Sequence, residues 1–238
     1  MTYIILAAGK GTNLQPLTLK YPKTSYKLDD NTTILQRLVR GIRKNDSNGE
    51  IVVVVGYLAE DVKKVLSEEN VKFVVNPFYE VTNSITSVWF ARDYLERENV
   101  AIIHGDVVFD DYISANVMVK DTDYPYVLVD SSCVKPGAYN VVTHEDRVMV
   151  MSYKLEHFNA KYCCMTKLDA VSARLLKREL DKMIHTNMYN QYFEDSLVQM
   201  IMFQDFQLNC VDIKGHSWTE VDSVDDLLEA QQIHRKSK

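Results

Sequence analysis

The sequence predicts an α/β protein built on a doubly wound, mostly parallel sheet. Three observations carry this expectation. Apolar runs rich in Val and Ile (TYIILA, EIVVVVG, NVAIIHGD, YPYVLVD) read as strands buried on both faces. Segments with apolar residues at helical spacing alternate with them, as βαβ units require. No Gly/Pro/Ser linker, repeat or low-complexity tract divides the chain, so one fold is expected.

Each element follows from its local pattern. Residues 2–7 form the first strand; TTILQRLVRGIRKN is a helix whose Ile34, Leu35, Leu38, Val39 and Ile42 mark a core face. EIVVVVG is a strand, LAEDVKKVLSEEN a helix, VKFVVN a strand, and Ser84 to Arg97 a helix. The pattern then changes: short strands are expected between Tyr139 and Met151 and between Lys161 and Thr166, followed by helices over 168–184 and about 192–203. FQLNCVDIKG reads as a strand and SVDDLLEAQQIH as a final helix with Ser223 as its N-cap.

Composition bounds the partners. A chain of 238 residues that is 46% hydrophobic and 25% charged can bury a core without disulfides or metal. The net charge of -6 argues against nucleic acid as a partner and for a small ligand or a protein. Cys133, Cys163, Cys164 and Cys210 lack paired spacing and are expected as reduced thiols. The first apolar run is short and lacks a basic segment before it, so a cytoplasmic protein with no membrane association is expected.

The chemistry concentrates in LAAGKGTNLQPLTLKYPK, residues 6–23. Gly9 and Gly11 stand where the first strand ends, the edge at which open α/β sheets bind ligands. Glycines there let backbone N–H groups approach an anion, although a plain turn reads the same. The spacing is neither that of a P-loop nor of a dinucleotide fingerprint, whose third glycine is replaced by Leu14.

The longer pattern, L-A-A-G-x-G-(S/T)-x-L-x-P-L-T-x-x-x-P-K, resembles the signature of nucleotidyltransferases that join an NTP to a phosphorylated acceptor, and among them the small phosphocholine-type cytidylyltransferases. The similarity includes NPFYEVTNSITSVWFARDYL, IIHGD and EVDSVDDL. It implies a Rossmann-like nucleotidyltransferase fold with residues 1–135 and 207–238 as nucleotide-binding core and 136–206 as a small α+β acceptor-side lobe. Leu6, Ala7, Ala8, Gly9, Gly11, Thr12 and Asn13 would then form the nucleotide loop, with Gly9 and Gly11 wrapping the phosphates. Lys23 would contact phosphate, and Asp106 and Asp222 would hold Mg2+. The implied reaction joins CMP from CTP to a small phosphorylated or phosphonate acceptor and releases pyrophosphate. A sugar 1-phosphate acceptor, or a nucleotide binder without catalysis, are the alternatives; the oligomeric state stays open.

The two aspartates also have a physical case of their own. Mg2+ takes oxygen ligands, commonly one or two carboxylates plus substrate phosphates. Period-2 alternation puts Trp218, Glu220 and Asp222 on one face if 217–222 is extended. The plainer reading makes Asp106 a turn residue and Asp222 a helix-start acid. Asn13 stands where the family has Arg, and its amide carries no charge. Lys10, inside the loop, is the first candidate to compensate, ahead of Lys20 and Lys27. His104 is expected to pack the strand.

Asn83 and Ser84, before a helix, match the base-side loop of the similar cytidylyltransferases and can both donate and accept, although Ser84 or Thr82 as a helix cap reads the same. Tyr126, Tyr139, Tyr162 and Trp218 offer faces for a quaternary ammonium, with Glu194, Asp195 and Glu220 as acceptor-side acids. Core tyrosines and a solvated helix turn are the ordinary alternative. Lys135, in CVKPGAYNVV, favours an anionic or zwitterionic acceptor, so aminoethylphosphonate, a phosphorylated amino-acid derivative and phosphocholine all stay open.

Overall fold

The computed structural model describes residues 1–97, 99–133 and 139–237. Strands β1 (Thr2–Ala7), β2 (Glu50–Val55), β3 (Lys72–Val75) and β4 (Asn99–His104) enclose helices α1 (Ile34–Asn45), α2 (Ala59–Val65) and α3 (Ser84–Phe90). After them come β5 (Val107–Phe109), the single turn α4 (Asp111–Ile113), β6 (Tyr126–Asp130), β7 (Asn140–His144), β8 (Arg147–Ser152) and β9 (Ala160–Asp169). The last elements are α5 (Ala170–His185), α6 (Phe193–Gln204), β10 (Asn209–Asp212), β11 (Trp218–Glu220) and α7 (Val224–Lys236).

One sheet runs β3-β2-β1-β4-β9-β6-β10-β8-β7, and β5 pairs with β11 in a separate antiparallel ribbon. β3, β2, β1 and β4 are mutually parallel, as the Val/Ile runs predict. β9 then enters antiparallel between β4 and β6, making the sheet mixed. Segment 136–206, expected as an acceptor-side lobe, thus contributes a strand to the middle of the sheet. Where short strands were expected there are ten continuous residues, nearly all buried.

Both faces of the sheet are covered. In β1, Ile4 points to a cluster with Val88, Leu176, Phe193 and Leu197 of α3, α5 and α6. Tyr3 and Ile5 point to the other side, against Leu35, Leu38 and Ile42 of α1. Burying one such side chain stabilises the fold by about 1.5–3 kcal/mol, and strict alternation fixes the register. A third cluster joins Leu14 of the opening loop, Val108 of β5 and Val221, Ala230 and Ile233 around α7, which docks the chain's last helix beside its first loop.

Two helix boundaries differ from expectation. The helix expected over 84–97 stops at Phe90 and continues as a 3-10 segment, Arg92–Glu96, with Arg92 stacked 3.9 Å over Trp89 and donating to its carbonyl. The helix expected from Leu168 begins at Ala170, because Leu168 pairs with Val100 in the sheet and the Asp169 carboxylate caps Val171 and Ser172. Ser223 caps α7 as expected, accepting from the Asp226 amide. Among the described residues no helix is long and apolar enough to cross a membrane.

Candidate functional site

The parallel strands deliver the opening loop and the GD turn to one edge. Gly11 has φ +61°, and a Cβ there would meet Lys23 Cβ and Thr18 Cγ2, each at 3.1 Å. Thr18 Oγ1 donates to the Gly11 carbonyl at 2.7 Å, so the loop is folded back onto its own Pro-Lys end. Gly9 differs: nothing lies within 4 Å of a Cβ there, so the fold itself does not demand glycine. It lines, with Leu6, Ala8, Asn83, Ser84 and Asp106, a cavity of about 160 Å³. At Gly105 a Cβ would stand 2.8 Å from the Leu6 carbonyl, and the Gly105 amide donates to that oxygen at 2.8 Å. The close approach seats Asp106 beside the end of β1.

Lys23, Asp106 and Asp222 converge. Lys23 Nζ lies 2.5 Å from Asp106 Oδ2 and 2.7 Å from Asp222 Oδ1. Burial opposes the charge on Lys23, but the two carboxylates outweigh it and hold its pKa above the ordinary value. Asp222 is fixed by α7: its amide and that of Ser223 donate to Asp226 Oδ2 at 3.1 and 2.8 Å. Asp106 Oδ1 is buried without a partner among the described residues. Two carboxylates against one ammonium leave a net negative charge, and a bare carboxylate oxygen is the ligand type that Mg2+ takes.

The remaining loop residues separate. Asn13 is exposed in the turn Thr12–Leu14, and Thr12 and Lys20 are also exposed. Lys10 Nζ pairs with Glu80 at 2.9 Å on the exposed surface, a contact that raises its pKa, and stands 5.9 Å from the centre of the Tyr79 ring, which lines the cavity. Lys27 donates to the Asp30 carbonyl.

In the loop expected to face the base, Asn83 is the N-cap of α3: its Oδ1 accepts from the Ser84 amide at 2.8 Å. Ser84 Oγ accepts from the Phe193 amide at 2.8 Å, and the Asn83 amide donates to the Tyr189 carbonyl, which stitches the cavity to the start of α6. Both side chains thus serve local structure while lining the cavity. Sequence reasoning missed Asn76, which is buried and spans this loop: its Oδ1 accepts from Phe78 N and its Nδ2 donates to Ser87.

The aromatic set expected on the acceptor side divides. Tyr139 and Tyr162 are neighbours, with ring centroids 6.4 Å apart, but Tyr126 faces the opposite side of the sheet and donates to the Val117 carbonyl. Trp218 also stands apart: its Nε1 donates to Asp130 at 2.9 Å and Lys161 Nζ lies 5.0 Å over its ring. With Glu220 and Asp222 these three line a second cavity, of about 420 Å³; the strand expected over 217–222 spans only Trp218–Glu220, and Ser217 and Thr219 line the same cavity, so the lining does not separate one face from the other. Lys135 lies outside the described residues. Tyr153 and Tyr192 complete the tyrosine cluster and were not anticipated.

His104 is more than the packing residue expected. Its Nε2 contacts Glu194 at 2.8 Å and its Nδ1 contacts Glu220 at 3.1 Å, while Tyr162 and Phe193 flank the ring. Burial disfavours the imidazolium, but neighbouring Cys164 and Glu194 lift its pKa well above the ordinary value. Burial likewise works against ionised Glu220, and the hydrogen bond and charge of His104 override it to lower that pKa. Glu194, in the helix turn expected to be solvated, is only 1% exposed. The sole sequence signal for this network was the position of His104 beside Gly105-Asp106.

The family profile described as Nucleotidyl transferase matches residues 2–237. The chain belongs to that family. It is similar to the CTP:phosphoglutamine cytidylyltransferase of Campylobacter jejuni subsp. jejuni serotype O:2, with 27% identity covering 95% of this chain and 98% of the relative. It is also similar to the Bifunctional protein GlmU of Caldicellulosiruptor saccharolyticus, with 26% identity over 84% of this chain, a match that spans only 44% of that longer protein. Among solved structures, the CTP:phosphocholine cytidylyltransferase from Streptococcus pneumoniae superposes with a TM-score of 0.78 at 20% identity, covering 98% of both chains, and so shares the fold. The fold is therefore the Rossmann-like α/β fold of nucleotidyltransferases, with a mixed sheet.

Proposed function

We propose that this nucleotidyltransferase is a cytidylyltransferase that joins CMP from CTP to a small phosphorylated or phosphonate acceptor. The observation that carries the reading is the convergence of Asp106, Asp222 and Lys23 beside the Gly9 cavity, with one buried Asp106 oxygen left bare. The choice of CTP rests on the similarity to a phosphoglutamine cytidylyltransferase along nearly all of both chains.

In this reading an acceptor phosphate oxygen attacks the α-phosphorus of CTP in line. One P–O bond forms, the bond from the α-phosphorus to the bridging oxygen breaks, and the electron pair leaves with pyrophosphate. A phosphomonoester has a second pKa of about 6 and is already a dianion for the most part at neutral pH, so no protein base is required. Gly9 and Gly11 offer backbone amides to the phosphates in the space that a Cβ at position 9 would narrow. Asp106 and Asp222 would hold Mg2+, which when bound supplies charge neutralisation at the phosphates. Lys23 then moves from the carboxylate pair, which holds its pKa up, toward phosphate oxygen, whose negative charge takes over in keeping it cationic. Lys161, which lines the second cavity together with Lys236, is a cation placed to orient the acceptor phosphate. Positioning and charge stabilisation perform the catalysis.

Pyrophosphate release with CTP, Mg2+ and a panel of phosphorylated amines tests the reading. Asp106→Asn is expected to lower turnover by about 100-fold or more while the protein stays folded, since an amide oxygen is a poor ligand for a hard dication. Unchanged Mg-dependent turnover in that variant would remove Asp106 from the metal site.

A further inference from the structure

The Glu194 carboxylate is held at one oxygen and bare at the other. Oε1 meets His104 Nε2 at 2.8 Å, whereas Oε2 is buried and has no hydrogen-bond partner among the described residues. Among the described residues no hydroxyl bonds it: Tyr139 donates to Asp195 at 2.6 Å, and Tyr162 and Thr166 share a hydrogen bond at 3.0 Å in which either can be the donor. A buried acceptor without a donor is costly, and native proteins leave few of them. Tyr153 and Tyr192 pack over the cluster with ring centroids 4.8 Å apart. They are 40% and 39% exposed, so they form the side of the cluster that faces solvent, from which a ligand would approach.

We propose that Glu194 Oε2 receives an N–H donor of the acceptor, so that the acceptor carries a primary, secondary or tertiary ammonium instead of a fully methylated nitrogen. The inference rests on the proposed function, since it names the acceptor of that same reaction. Aromatic faces attract a cation whether or not it bears hydrogen, so the tyrosines do not distinguish these classes. The bare oxygen does, because a site built around a hydrogen bond rejects an analogue that leaves its buried polar group unpaired.

The test uses the wild-type protein with CTP and Mg2+ and four acceptors: phosphoethanolamine and its mono-, di- and trimethylated forms, the last being phosphocholine. Size grows evenly along the series, whereas the N–H disappears only at the last step. The expected result is similar kcat/KM for the first three and a fall of about tenfold or more at phosphocholine. Glu194→Gln, checked to retain its melting shift with Mg·CTP, is expected to flatten that final step. A gradual decline, a rise with methylation, or use of none of the four while Mg·CTP still binds would overturn the inference and leave the cytidylyltransferase reading standing. Absence of any Mg·CTP binding would overturn both.

Discussion

At the scale of single residues, Asn13 is the position where this chain departs from the pattern it otherwise follows. It is exposed on a turn of the opening loop, and its amide brings no charge to a triphosphate. Lys10 is three residues away and paired with the exposed Glu80, a contact that solvent and salt weaken and that a nucleotide can displace. Asn13→Arg is therefore expected to raise turnover severalfold, and Lys10→Ala to lower it by about 10- to 100-fold, measured as kcat for pyrophosphate release at saturating CTP. No gain in the first and no loss in the second would remove Lys10 from the catalytic account. The glycines carry a related lesson: Gly11 is dictated by φ and by Lys23, whereas Gly9 is explained only by open space for a ligand.

At the scale of elements, the parallel half of the sheet was legible because Val/Ile runs admit few other readings, and the cap of α7 because Ser223 precedes an acidic first turn. β9 was expected only over Lys161–Thr166; its continuation to Asp169 and its place in mid-sheet were not. Thr166 and Lys167 are buried in mid-strand, where a sequence reading expects apolar side chains. Lys167 survives there by donating to the Val117 and Lys120 carbonyls. Burial lowers its pKa to about 7, an effect that Asp121 and Asp46 oppose and Lys120 reinforces. Between pH 7 and about 10.4 the unfolded chain therefore binds a proton that the folded chain has released, so this group adds stability as pH rises through that window. Below pH 7 both states are protonated and the full burial cost stands. Melting of wild type against Lys167→Met should show wild type gaining on the variant from pH 6.5 to pH 9.5, whereas a pH-independent difference would contradict the assignment. The contacts of His104 with Glu194 and Glu220 were unreadable for a similar reason: they join β4, α6 and β11, elements whose meeting no local pattern announces.

At the scale of the whole molecule, the sheet brings residues 9, 23, 106 and 222 to one edge although they span most of the chain. This edge is the proposed Mg·CTP site. The most direct test is the melting temperature of wild type with CTP, UTP, ATP and GTP, each with and without Mg2+. A ligand at 100 times its dissociation constant stabilises by about 2.7 kcal/mol, which moves the melt of a domain this size by about 5–10 °C. The account predicts such a shift with CTP, dependent on Mg2+ and lost in Asp106→Asn. No shift with any nucleotide, or one indifferent to Mg2+ and to Asp106, would contradict it.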